Sequence, residues 1–214
     1  MKDNNVYYRM FLWLFVGLLI TFISGYSLSL NKELLYSILV IGLIPIIIIE
    51  ILIAIFMGLR IKKMNPITAK ICYIIYSVTT GITFGTIFLE YKLLSIMSIF
   101  LVSAIMFALL AIYGYTTKKD LTKFSTILVV ALISMIVVSI LNLLVFKSTT
   151  LELLLSILSI FIFLGYIAYD MRNIKYLMNS LGEEKASIYG AFQLYLDFIN
   201  LFIRLIELFG KNKD

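Results

Sequence analysis

Long apolar stretches alternate with short polar breaks along the whole chain. A helix needs roughly 20 apolar residues to cross a bilayer core of about 30 Å. Seven stretches meet that length: residues 10–30, 34–59, 66–89, 93–115, 124–146, 151–173 and 186–209. The breaks are Asn31-Lys32-Glu33, Lys62-Lys63-Met64-Asn65-Pro66, Glu90-Tyr91-Lys92, Lys118-Lys119-Asp120, Lys147-Ser148-Thr149-Thr150 and Gly182-Glu183-Glu184-Lys185. Backbone groups cannot go unpaired in lipid, so the stretches are helices rather than isolated strands. Asn65 before Pro66 reads as an N-cap followed by the first helical residue. The pattern predicts an all-α membrane protein, a single seven-helix transmembrane domain over residues 1–214, with no linker or repeat.

Composition agrees with lipid as the solvent. Of the 214 residues 62% are hydrophobic and 14% charged, against roughly 45–50% and about 25% in soluble domains. A chain of this length could not hide so much apolar surface from water. The net charge of +6 does not point to nucleic acid, because the Lys and Arg residues sit between apolar runs as topology signals do. Cys72 is alone, which excludes a disulfide framework. Histidine is absent, so proton sensing falls to Asp or Glu. The first apolar run, from Met10, lacks a small-residue cleavage pattern after it and reads as a true span rather than a leader.

Charge also predicts orientation. With the N-terminus in the cytoplasm, the inner segments hold twelve of the basic residues: Lys2, Arg9, Arg60, Lys62, Lys63, Lys70, Lys118, Lys119, Lys123, Arg172, Lys175 and Lys185. The outer breaks hold three, Lys32, Lys92 and Lys147, a bias favouring a cytoplasmic N-terminus. Lys211 and Lys213 oppose it, since seven crossings put them outside; the seventh helix either crosses despite the rule or is re-entrant. On helix 3, Ser77, Gly81 and Gly85 recur every four residues and allow close approach of a neighbour, although ordinary packing would also account for them. Pro45 deprives a carbonyl of its helical partner and predicts a kink toward Glu50.

Charges inside spans are the informative residues, since each costs at least about 2.5–3.5 kcal/mol at the bilayer centre. Glu50, Asp170, Asp197 and Arg204 are such residues. Asp170 and Asp197 are symmetric about the turn at Gly182-Glu183-Glu184, so an antiparallel hairpin brings them to the same depth, about 20 Å along each helix from the turn. Two facing carboxylates in a low dielectric cannot easily both ionise; they share a proton and change their bonding as pH falls. The competing arrangement pairs each with a local base, Asp170 with Arg172 or Lys175. On helix 7, Gln193, Asp197, Asn200, Arg204 and Glu207 fall within about 80° of one another. Such a stripe must face protein or water, and a central helix ringed by the other six satisfies it. A helix lying flat on the membrane is the alternative. Glu50, near the middle of helix 2, is either protonated and hydrogen-bonded or part of a cation path. Arg60, taken alone, is a positive-inside anchor.

Three segments carry a resemblance: Tyr195-Leu196-Asp197-Phe198-Ile199-Asn200-Leu201-Phe202, Tyr169-Asp170 followed by Asn173-Ile174, and Lys118-Lys119-Asp120-Leu121 after Gly114. Together they resemble the bacterial branch of the Bax inhibitor-1/TMBIM family over essentially the whole chain. The resemblance implies seven helices with helix 7 central, ringed by helices 1–6, and a pH-sensitive calcium leak across the cell membrane. It implies Asp170 and Asp197 as the proton sensor, Arg60 as the latch on the closed state, and Glu50 as the helix-2 acid. Arg204 departs from the pattern, standing where an uncharged residue is expected; it can compete for Asp197 or pair with Glu207.

The reading is a passive calcium channel without a cofactor. Asp170, Asp197 and Glu50 supply hard oxygen ligands for calcium, and Glu50 and Asn200 line a path from which ions must leave easily. The expected partners are calcium ions, protons, the lipid bilayer and other membrane proteins. The alternatives are a proton-coupled cation transporter and a non-transport modulator of a membrane protease or other membrane protein. No nucleophile–base pair, metal-ligand cluster or phosphate loop points to an enzyme.

Overall fold

The computed structural model describes residues 2–213. The side chain of Lys2, one of the cations counted above, lies outside the described residues. Seven helices follow one another: α1 (Lys2–Ser29), α2 (Lys32–Arg60), α3 (Pro66–Glu90), α4 (Leu93–Thr116), α5 (Thr122–Leu141), α6 (Thr149–Leu181) and α7 (Glu183–Phe209). A π-helical turn, Asn142–Phe146, continues α5. It ends at Lys147, whose φ of 48° reverses the chain, while Asn142 and Ser148 exchange two hydrogen bonds across the turn. No named strand occurs among the described residues.

The helix starts follow local chemistry. The Asn31 side chain accepts from the Leu34 N–H and the Asn65 side chain from the Thr68 N–H, each satisfying a donor that a helix start leaves orphaned. Pro66 is the first residue of α3. α2 runs unbroken through Pro45. α6 extends to Leu181, eight residues past the predicted limit of 173, because polar residues bar a helix from lipid but not from being helical. The α6–α7 reversal is a single residue, Gly182, at φ +78°, a conformation that glycine adopts without a Cβ penalty. Among the described residues six helices, α1 to α6 with the π turn included in the fifth, are long and apolar enough to cross a membrane; α7, the seventh stretch expected to span, is not among them.

The chain divides into two compact units, each described by itself. The first comprises Met1–Leu93, Ile174–Tyr195 and Asn212–Asp214. In it α1 and α3 run parallel: Gly17 faces Tyr73, Thr21 bonds the Ser77 carbonyl, and Gly25 faces Gly81, a constant offset of 56 residues. Of the small residues singled out on α3, Ser77 and Gly81 line this seam, while Gly85 faces α2. A Cβ on Gly81 would stand 2.8 Å from the Thr21 carbonyl oxygen, and one on Gly85 would stand 2.9 Å from Leu35. Both ends of α7 are tied to α3. Glu184 pairs with Lys70 at 2.6 Å, and past the other end Asn212 bridges Tyr91 while the Lys213 N–H donates to the Glu90 carbonyl at 2.8 Å. The tail therefore sits at the α3–α4 turn.

The second unit comprises Leu94–Asn173 and Leu196–Lys211. Gly114 of α4 lies against the backbone of Ala168 on α6, and Gly165 lies against Leu128 of α5. Phe198 and Phe202 of α7 pack edge-on to α4: Phe198 meets Phe100 at 5.2 Å and Phe107 at 5.7 Å, and Phe202 meets Phe100 at 6.2 Å. Along α7 no residue from Ala186 to Ile206 is exposed. The apolar side chains left uncovered, Val40 and Ile41 of α2 for example, are ones that lipid would solvate.

Candidate functional site

In the second unit the hairpin brings Asp170 and Asp197 together. Each is 5% exposed, and their carboxyls lie within hydrogen-bonding reach of each other. The pivot is Gly182, 12 residues after Asp170 and 15 before Asp197. The mismatch of three residues is about 4.5 Å of helix rise. Asp197 Oδ2 is buried without a hydrogen-bond partner among the described residues. Ionised carboxylates only accept hydrogen bonds, so a bond between these two requires a proton on one of them. Tyr166, one turn before Asp170 on α6, is the phenol that feels both carboxyls.

Asn200 donates back to the Leu196 carbonyl at 2.7 Å, leaving its amide oxygen available. Arg204 pairs with Glu207 at 2.8 Å, with side chains 33% and 41% exposed. Of the two roles open to Arg204, the structure shows the local one. Arg172, offered as a local base for Asp170, lies toward Asp120 in the α4–α5 connection. Asp120 itself accepts from the Thr122 N–H at 2.9 Å and the Thr122 hydroxyl at 2.7 Å. These bonds, the backbone one first, hold its carboxyl below the usual range. The lysine-aspartate segment thus fastens the start of α5.

Glu50 and Arg60 belong to the first unit. Glu50 is half-buried, and its carboxyl faces the Thr80 hydroxyl, which is placed to donate to it. The phenols of Tyr76 and Tyr195 flank it. Tyr195 is fully buried and its hydroxyl meets Thr21 Oγ1 at 2.5 Å. Thr21 in turn reaches the carbonyls of Gly17 and Ser77, each at 3.0 Å. Arg60 is exposed at the end of α2 and forms no ion pair among the described residues. Sequence reasoning did not find Thr21, Thr80 or the Tyr195 hydroxyl, because a hydroxyl within an apolar run usually bonds its own helix. The signal available was the spacing of Thr21 and Ser77 across two helices whose pairing the sequence leaves open.

Comparison with known proteins follows the same outline. The family model described as inhibitor of apoptosis-promoting Bax1 matches residues 3–214. The inner membrane protein YbhL of Escherichia coli K12 is 36% identical over 214 aligned positions, covering 94% of this chain and 89% of that one. A protein of Borreliella burgdorferi is 32% identical, covering 99% and 94%. A membrane protein of Streptococcus pyogenes serotype M1 is 34% identical, covering 75% and 71%. With six apolar helices long enough to span and an inner membrane relative matched along nearly its full length, the chain is a multi-pass membrane protein of the Bax inhibitor-1 family.

Proposed function

We propose that this protein is a pH-sensitive calcium leak channel of the cell membrane, oriented with its N-terminus in the cytoplasm. The observation that carries the reading is the buried meeting of Asp170 and Asp197 on consecutive helices. A carboxyl pair closed from water, with Tyr166 as the adjacent phenol, binds one proton between its members or separates when that proton leaves. That is a two-state element whose balance pH sets. The absence of exposed residues from Ala186 to Ile206 supports α7 as the central helix, ringed by α1 to α6.

In this reading Arg60 is the latch, because an exposed guanidinium with no ion pair among the described residues can take a carboxylate in two parallel hydrogen bonds. Glu50 and the amide oxygen of Asn200 line the path. Calcium meets hard oxygen ligands at Asp170, Asp197 and Glu50, and a path with so few charges releases its ions readily. Membrane-protein partners remain part of the proposal, since α2 and α5 leave broad apolar faces uncovered.

The test is calcium flux into proteoliposomes between pH 6 and 8. Wild-type protein leaks calcium with a rate that depends on pH. The double substitution Asp170→Asn with Asp197→Asn abolishes that dependence. If the variant keeps the wild-type profile, the aspartates are not the sensor. If an imposed pH gradient drives calcium uphill, the protein is a proton-coupled transporter instead of a leak.

A further inference from the structure

Where α2 gives way to α3, the first unit carries lysines that neither the aspartate pair nor the ion path uses. The connection is a short turn with apolar fixed points. Ile61 and Met64 are 5% and 8% exposed, and the Lys63 and Met64 N–H groups both donate to the Arg60 carbonyl at 2.9 Å. Burying those two side chains leaves Lys62 and Lys63 exposed between them. A third ammonium joins them from α7: Lys185 Nζ donates to the Lys62 carbonyl at 3.0 Å. Three positive charges from two segments distant in sequence are thereby held at one turn.

The nearby acids do not neutralise this group. Glu184 is taken by Lys70 at 2.6 Å, and Lys70 also lies 5.9 Å from the centre of the Trp13 ring. Glu183 is the other acid in the first turn of α7. Among the described residues no ion pair joins it to Lys62, Lys63 or Lys185. Three lysines against one carboxylate leave a surplus of positive charge. Apolar side chains frame the turn on both sides: Leu59, just before it, is 79% exposed, and Ile67, just after it, is 66% exposed. A free phosphate would meet the lysines and leave Leu59 and Ile67 uncovered. A phosphate that carries acyl chains meets both.

We infer that Lys62, Lys63 and Lys185 bind the phosphodiester headgroup of an anionic phospholipid, whose acyl chains lie along Leu59 and Ile67. Lysine suits the place, because its stem lies on apolar surface while its ammonium stays at headgroup level. The surplus charge selects a lipid of net negative charge, since a zwitterionic headgroup brings a cation of its own into the patch. Arg60 is not needed for this contact and is left in place in every variant below. The site requires only that the chain spans a membrane, so it stands apart from the calcium reading.

The experiment uses the full chain in a non-ionic detergent, with brominated phosphatidylglycerol or brominated phosphatidylcholine added to the micelles. Trp13 is the single tryptophan and belongs to this end of the unit through Lys70, so quenching of its fluorescence reports the bound lipid. One lysine at an anionic surface is worth about five-fold in affinity. Wild-type protein therefore prefers phosphatidylglycerol by about five-fold or more at low salt, and the preference shrinks as salt screens it. Lys62→Gln with Lys63→Gln reduces it several-fold, as does Lys185→Gln alone. Lys62→Arg with Lys63→Arg keeps it. So does Lys118→Gln with Lys119→Gln, which removes the same charge from the α4–α5 connection. Equal quenching by the two lipids in wild type overturns the assignment, and so does a preference that survives all three lysine-to-glutamine changes. An equal loss in the Lys118 and Lys119 variant also overturns it, because net charge alone would then be responsible. Inorganic phosphate at millimolar concentration leaves the quenching unchanged; if it displaces the lipid, the site is one for free phosphate and the lipid assignment fails. No calcium flux enters these measurements, so the channel reading and the lipid site can each fail alone.

Discussion

Gly114 offers a direct measurement of how tightly α4 and α6 are packed behind the aspartate pair. An Ala side chain there would place its Cβ against the Ala168 carbonyl oxygen, with the carbonyl carbon at 3.0 Å and the Ala168 Cα at 3.1 Å. Those are backbone atoms and cannot swing aside as a flexible side chain can. Inserting a methyl into such a contact costs about 1–3 kcal/mol. Against this, Gly to Ala in a helix interior returns about 0.8–1 kcal/mol of propensity. The net for Gly114→Ala is a loss of about 1 kcal/mol, or about 2–4 °C in Tm for a chain of this size. Gly42 in α2 is the internal control. A Cβ there meets only Ile46 at 3.6 Å and Ile38 at 4.0 Å, both ordinary contacts within its own helix. Gly42→Ala therefore keeps the propensity gain and raises Tm by about 2–4 °C. The assay is thermal unfolding of both variants and wild type in one detergent. Opposite signs, separated by about 4–8 °C, are expected. If Gly114→Ala is as stable as Gly42→Ala, the close backbone approach of α4 to α6 is wrong. Because Ala168 is one residue short of the Tyr169-Asp170 pair, the same variant should also change the pH profile of calcium flux.

Three further outcomes follow from other contacts. The carboxyl of Asp120 is held below its usual range by Thr122, so its contribution is present above the unfolded value and is lost as pH falls through the lower folded one; hydrogen exchange at the Thr122 amide should accelerate over that acidic window in wild type, and be fast at every pH in Asp120→Ala. Breaking the Arg204–Glu207 pair with Arg204→Gln should change stability by no more than about 0.5 kcal/mol, because partly exposed i,i+3 pairs contribute little; a shifted pH profile of flux in that variant would show that Arg204 serves Asp197 after all. Tyr195→Phe removes the bond to Thr21 and should cost about 1–2 kcal/mol, read as a lower denaturation midpoint, and an unchanged midpoint would mean that this bond contributes no net stability.

How much of this was legible in advance depended on which force acts along the chain and which acts across it. Lipid cannot satisfy a backbone, so twenty-residue apolar runs could only be helices, and the breaks at Asn65-Pro66 and Gly182 carry their own cap and turn chemistry. The helices and their order were readable for that reason. The encounter of Asp170 with Asp197 was readable too, since a single short turn leaves an antiparallel hairpin little freedom; the real pivot at Gly182, rather than midway, shows how far such reasoning drifts, by about one turn of helix. The partner of Arg204 was not readable, since Asp197 and Glu207 are both within reach of a long side chain, and only the placed helix shows Glu207 bonded. The position of the tail beside Tyr91 was equally open, because charge bias opposed what helix length required.

The cluster around Glu50 depended wholly on tertiary structure. Thr21, Thr80 and Tyr195 lie on three helices far apart in sequence, in runs whose composition is what lipid demands of any span. Their oxygens converge because α1 and α3 run parallel at a close seam made by Gly17, Gly25 and Gly81, and because α7 is fastened to α3 at both ends. Hydropathy acts locally on each segment and so determines that seven helices exist. Which polar atoms meet is set by helix pairing and rotation, and apolar periodicity in a solvent that favours every face alike carries almost no information about either.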